Sequence, residues 1–201
     1  MKLSYITVLA ALGGVALSGV VLAQSMTQDA LPATFTEEGA AHAPTDYRRW
    51  IYVGTPLTPN ALNDGEAPFL EFHNVYVEPT AFEHFAETGE WAEGSQIAKE
   101  LVMLRQGEDC DAATGACFEV SGNGYFQGEF VGLELTVKDT ERFSEEPGGW
   151  AYFSFGHDGE PYEATAQAFP TDACNTCHEA NADTDFVFTQ FYPVLRAVRG
   201  N

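Results

Sequence analysis

The chain has 201 residues, enough for one domain with a sizeable core, and a formal net charge of −21. A surface this acidic repels nucleic acid and anionic membrane; it would suit a basic partner such as a cationic electron carrier, or serve simply for solubility, and composition does not decide between the two.

Lys2 supplies a short positive start. The apolar stretch that follows ends in Val21-Leu22-Ala23, with small or apolar residues where a signal peptidase reads. Residues 1–23 are therefore expected to be a signal peptide, removed on export to the periplasm. Gly13, Gly14, Ser18 and Gly19 make the stretch a poor membrane span, so no membrane insertion is expected after cleavage. Residues 24–44, rich in Ala, Thr, Glu and Pro, read as a flexible leader. Residues 45–201 are expected to form the one folded domain.

A single helical turn is expected over 46–50, then a loop over 54–68 punctuated by Pro56, Pro59, Gly65 and Pro68. Alternation over 69–77 predicts a strand. Thr80-Ala81-Phe82-Glu83 has capping-box spacing, which predicts a short helix to Thr88 stopped by Gly89. Residues 97–104 predict the next strand. Strands over 118–120 and 125–137 are expected to form a hairpin through Ser121-Gly122-Asn123-Gly124. A further strand follows over 150–155. Residues 186–198 close the chain with aromatic packing residues. The expected fold is mainly β with some α: a single antiparallel sheet domain, a few short helices and a C-terminal cofactor segment.

The four cysteines form two close pairs. Cys110 and Cys117 enclose a turn-rich loop containing Thr114-Gly115, and in an exported chain they are expected to be a disulfide. Cys174-Asn175-Thr176-Cys177-His178 is the C-x-x-C-H of covalent haem attachment. Its spacing puts two thioether bonds on one porphyrin edge and leaves His178 over the iron. A thioredoxin-like pair would need a βαβ setting instead, not the end of a β protein. For a sixth ligand, Met103 and His73 are the strand-borne candidates. Met26, His42, His84 and His157 read as leader or surface residues.

Lys99 shares a strand face with Ile97, Leu101 and Met103. Both faces of that strand look partly apolar, so a charged amine there is costly unless it is paired or is not an amine; the alternative is an edge lysine that reaches solvent. Along 125–137, strict alternation puts Phe126, Gly128, Phe130, Gly132 and Glu134 on one face. The two glycines leave room above the sheet, two phenylalanines line it and one carboxylate enters it. Such a carboxylate could accept a proton, or could simply be a solvated strand-end glutamate.

Several segments together resemble the cytochrome P-460 family. They are Tyr47-Arg48-Arg49-Trp50, Val53-Gly54-Thr55-Pro56-Leu57-Thr58-Pro59-Asn60, Lys99-Glu100-Leu101-Val102, Gly122-Asn123-Gly124-Tyr125-Phe126 and Trp150-Ala151-Tyr152-Phe153-Ser154-Phe155, with the block from Cys174 to Arg196 the most specific. The likeness runs from about residue 35 to 199. It implies a β-rich homodimer with one haem c per chain, five-coordinate and open on its distal side, that oxidises hydroxylamine to nitrous oxide and passes electrons to a soluble c-type cytochrome. It also implies a third covalent link, from Lys99 to a meso carbon of the porphyrin, and a distal carboxylate at Glu134. His73 stands where members carry an arginine. A related branch, the cytochromes c-prime-beta, lacks the lysine, has an apolar pocket and binds nitric oxide without turnover. Gas binding and plain electron transfer are the alternatives to hydroxylamine oxidation.

Overall fold

The structure is a computed structural model that describes residues 32–200. The expected signal peptide, the first part of the leader and Met26 lie outside the described residues. No helix among the described residues is long and apolar enough to cross a membrane.

The first strand, β1 (Ala41–His42), precedes a 3-10 turn at Tyr47–Arg49 and β2 (Ile51–Gly54). β3 (Phe72–Val77) leads into α1 (Pro79–Thr88) and then β4 (Gln96–Leu104). β5 (Cys117–Glu119), β6 (Gly122–Gly124), β7 (Gln127–Lys138) and β8 (Trp150–Ser154) follow. β9 (Thr165–Ala166), α2 (Asn175–Asn181) and α3 (Pro193–Val198) complete the chain. The fold is mainly β. Five antiparallel strands in the order β2-β3-β4-β7-β8 make the central sheet, and β1-β9 and β5-β6 form two small ribbons beside it.

The sheet is apolar on both faces. On one, Val75, Val77, Ile97, Trp150 and Tyr152 pack against Ala81 and Phe85 of α1 and against Val187 and Leu195 near the C-terminus. On the other, Ala98, Leu133, Leu135, Val137, Ala151 and Phe153 pack against Ala41, Tyr47 and Ala166. The C-terminal segment therefore closes the first face, and the N-terminal segment closes the second.

Three expectations need correction. Residues 33–43 are not loose: Ala41 is fully buried and pairs with Ala166, and Ala33, Phe35 and Ala43 pack on the second face. Small apolar residues in a Thr/Glu/Pro-rich stretch read as a leader by composition, yet they fill a shallow apolar layer. The helix starts at Pro79, not Thr80. Proline occupies its first turn, and Glu78 caps it by accepting from the Ala81 N–H at 3.0 Å. Gly89 stops it in the left-handed region. The expected hairpin between 118–120 and 125–137 does not form. Gly122-Asn123-Gly124 is itself a strand that folds back on Cys117–Glu119, so the tight turn is Val120-Ser121, and β7 pairs with β4 instead. The structure joins Cys110 and Cys117 at the base of this ribbon.

Candidate functional site

One helical turn organises the C-terminal cluster. Cys174 precedes α2, and the N–H groups of Cys177 and His178 both donate to the Cys174 carbonyl at 3.1 Å. The two sulfurs and the imidazole are thus fixed relative to one another. Buried Asn175 pins this turn to the sheet by donating to the Trp150 carbonyl at 2.7 Å. Both thiols are free, with Cys177 exposed and Cys174 less so.

His178 is held tightly. Its Nδ1 lies 2.7 Å from the Phe186 carbonyl oxygen, which can only accept, so the proton sits on Nδ1 and the Nε2 lone pair is left for a metal. Its ring packs between Tyr152 and Phe188, with centroids 4.5 and 4.6 Å away. Burial lowers the pKa of His178, partly offset by the bond to Phe186, which favours the neutral form that ligates metals.

A second cluster lies on the sheet. Lys99 and Glu134 face each other across β4 and β7, with Nζ 2.5 Å from Oε2. One pair along, His73 on β3 stands opposite Leu101, on the same side. The charges of Lys99 and Glu134 reach His73, Cys174 and His178. Burial first, and then the Lys99 charge, push the His73 pKa down to about 4, with Glu134 opposing. Its Nε2 is buried without a hydrogen-bond partner among the described residues.

That depression fixes a pH dependence. An unfolded histidine takes its proton near its ordinary pKa, whereas His73 in the folded chain refuses it until about pH 4. Between those values the unfolded state binds more protons, so the stability due to His73 is present at neutral pH and lost as pH falls through this window. His73→Gln should therefore lose less stability than wild type between pH 7 and pH 4.5, measured by denaturant unfolding at both. Equal losses would show that His73 does not titrate this way.

The expected single face along β7 is broken. Leu101 pairs with Gly132 but Val102 pairs with Phe130, so Val131 is an extra residue and Phe130 changes side; a second register shift follows between Val102 and Leu104. Phe130 consequently lies on the opposite face, where its ring sits 4.4 Å from the Arg48 guanidinium carbon. Phe126 packs beside Arg105, beyond the end of β4 and about 20 Å along the strand from Lys99. Neither phenylalanine is beside the Lys99–Glu134 pair. The room expected above the glycines is also taken. A Cβ on Gly132 would meet the His157 and Leu101 side chains, and one on Gly128 would meet the Arg105 backbone. Met103 borders a separate cleft walled by Leu70 and the 106–115 loop.

Sequence reasoning missed the groups that hold His178. The Phe186 carbonyl and the Tyr152 and Phe188 rings lie in segments that carry the family resemblance, but no spacing there marks them as partners of His178.

These donors suit one kind of cofactor. Among the described residues no cluster of three or more His, Cys, Asp or Glu could hold a bare metal ion. One imidazole with a free Nε2 beside two reduced thiols, however, fits an iron already held by four porphyrin nitrogens, and the orphaned His73 Nε2 offers a further polar atom to such a group. The residues present therefore fit a haem.

No curated protein matches the chain. A family model described as Cytochrome P460 matches residues 44–189, a span that contains His73, Lys99, Glu134 and the whole C-x-x-C-H segment. The chain belongs to the cytochrome P460 family and is a c-type haem protein of an oxidoreductase-type group.

Proposed function

We propose that this chain is an exported enzyme that oxidises hydroxylamine to nitrous oxide at a covalently held haem, working as a homodimer in the periplasm and passing electrons to a soluble c-type cytochrome. The Lys99–Glu134 pair carries this reading: an amine and a carboxylate 2.5 Å apart, on a face whose charges reach His178. Thioethers from Cys174 and Cys177, the Nε2 of His178 and a third bond from Lys99 Nζ would hold the haem. When bound, haem supplies an iron that takes electrons from a nitrogen ligand and passes them on.

The residues around it divide the remaining work. A Lys99 nitrogen bonded to the porphyrin is no longer an ordinary ammonium, so Glu134 loses its ion-pair partner and becomes the acceptor for a substrate proton. His73, neutral at working pH, offers a second hydrogen-bonding group. The acidic surface favours a basic electron acceptor by steering. A charged pair also fits poorly with the apolar pocket of the gas-binding branch.

Peptide mapping tests the reading. Trypsin cuts after Arg49, Arg105 and Arg142, and a Lys99 bonded to haem resists it. The peptide 50–105 should then travel with the haem peptide that begins at residue 143, at the summed mass. A haem peptide that runs alone would remove the third link and make gas binding the better reading.

A further inference from the structure

The turn that follows α2 holds two successive non-glycine residues at positive φ, Asp185 at 45° and Phe186 at 63°. Residues other than glycine hold such angles only where their surroundings impose them. Here they do. Thr184 and Val187 close the turn by exchanging backbone hydrogen bonds. Lys138, at the end of β7, places Nζ 2.6 Å from Asp185 Oδ2 and donates to the Trp91 carbonyl at 2.9 Å. The indole N–H of Trp150, a fully buried residue, approaches Asp185 Oδ1 at 3.4 Å. From the other side, a Cβ on Gly148 would stand 2.4 Å from the Phe186 ring, so only glycine leaves that ring its place. All of this fixes one atom, the Phe186 carbonyl oxygen that accepts from His178 Nδ1.

We propose that Lys138, acting through Asp185, is a positioning residue for His178: it holds the Phe186 carbonyl on Nδ1–H and so sets the strength of the bond between His178 and the haem iron, and with it the haem's potential. The inference rests on His178 being the axial ligand. A carbonyl held on Nδ1–H draws the proton toward itself and makes Nε2 a stronger donor, which favours ferric over ferrous iron. Releasing the turn weakens that pull.

The test uses the haem-loaded protein. In Lys138→Met, resonance Raman of the ferrous form should show a lower iron–histidine stretching frequency, and redox titration should show a higher midpoint potential. Lys138→Arg, which keeps the charge, should stay near wild type on both. Asp185→Asn keeps the size of the side chain and weakens the clamp without emptying it, so it should shift both readouts the same way by less, and it stands in should Lys138→Met fail to mature. A lowered melting temperature with unmoved frequency and potential would mean that the clamp is only structural, and would overturn the inference. A five-coordinate ferrous wild type with no iron–histidine band would overturn the axial reading, and the inference with it.

Discussion

Replacing Glu134 with alanine should lower hydroxylamine turnover by roughly 10²–10⁴-fold, the usual range for losing a positioned proton acceptor. The haem should stay attached, because the proposed attachment residues lie at the start of α2, on α2 and on β4, and not on β7. Glu134 sits directly across from Lys99, and its side chain keeps 34% of its exposure, so it can take a proton from a ligand and return it to water. Glu134→Gln should fall nearly as far, since an amide keeps the shape but cannot act as the base. Initial rates with a small chemical oxidant as acceptor measure this without involving a protein partner. Wild-type turnover in either variant would mean that Glu134 has no part in the proton step.

The largest effect on stability should come from the opposite face. Glu100 is 1% exposed, and its Oε1 accepts from the Tyr47 hydroxyl at 2.5 Å and from Arg48 Nε and Nη2 at 2.9 and 2.5 Å. Arg48→Met strips the counter-charge and leaves a carboxylate with one hydroxyl for company. Breaking a buried pair in this way costs about 3–5 kcal/mol, and the half-exposed end of Arg48 argues for about 3. For a domain of this size that is a fall of about 6–12 °C in melting temperature. Turnover in the folded fraction should hardly change, because Glu100 points away from Lys99. Removing both partners, in Arg48→Met/Glu100→Met, should restore much of the loss. A single variant that melts with wild type would show that the pair contributes nothing.

What could be read from sequence was local. The C-x-x-C-H segment lies within one helical turn, so spacing alone brings its side chains together. β3, β4, β8 and α1 were legible to within a few residues because their periodicity matches what they bury. Lys99 stood out as a lysine on an apolar strand, but Glu100 beside it, the more deeply buried of the two, did not. Its partners are more than fifty residues away in sequence and make no pattern. Phe130 was misplaced because an alternation argument assumes an unbroken strand, and one extra residue at Val131 puts Phe130 on the other side. The positive φ angles at Asp185 and Phe186 had no sequence signal, since neither residue requires them; Lys138 and Trp150 impose them from a distance.

β4 pairs without an irregularity of its own from Gln96 to Leu101, and its neighbours 99 and 100 serve opposite faces. Evolution can thus lengthen or shorten this protein only in certain places. The excursion between β4 and β7, which holds the cysteine ribbon, can gain or lose residues without disturbing either face. A single insertion or deletion ahead of Lys99 within β4 would send a lysine into the layer around Tyr47 and a glutamate toward His73, exchanging the two chemistries in one step. Diverging members of the lineage should therefore vary in length between residues 105 and 126 and hold a fixed count from 96 to 101.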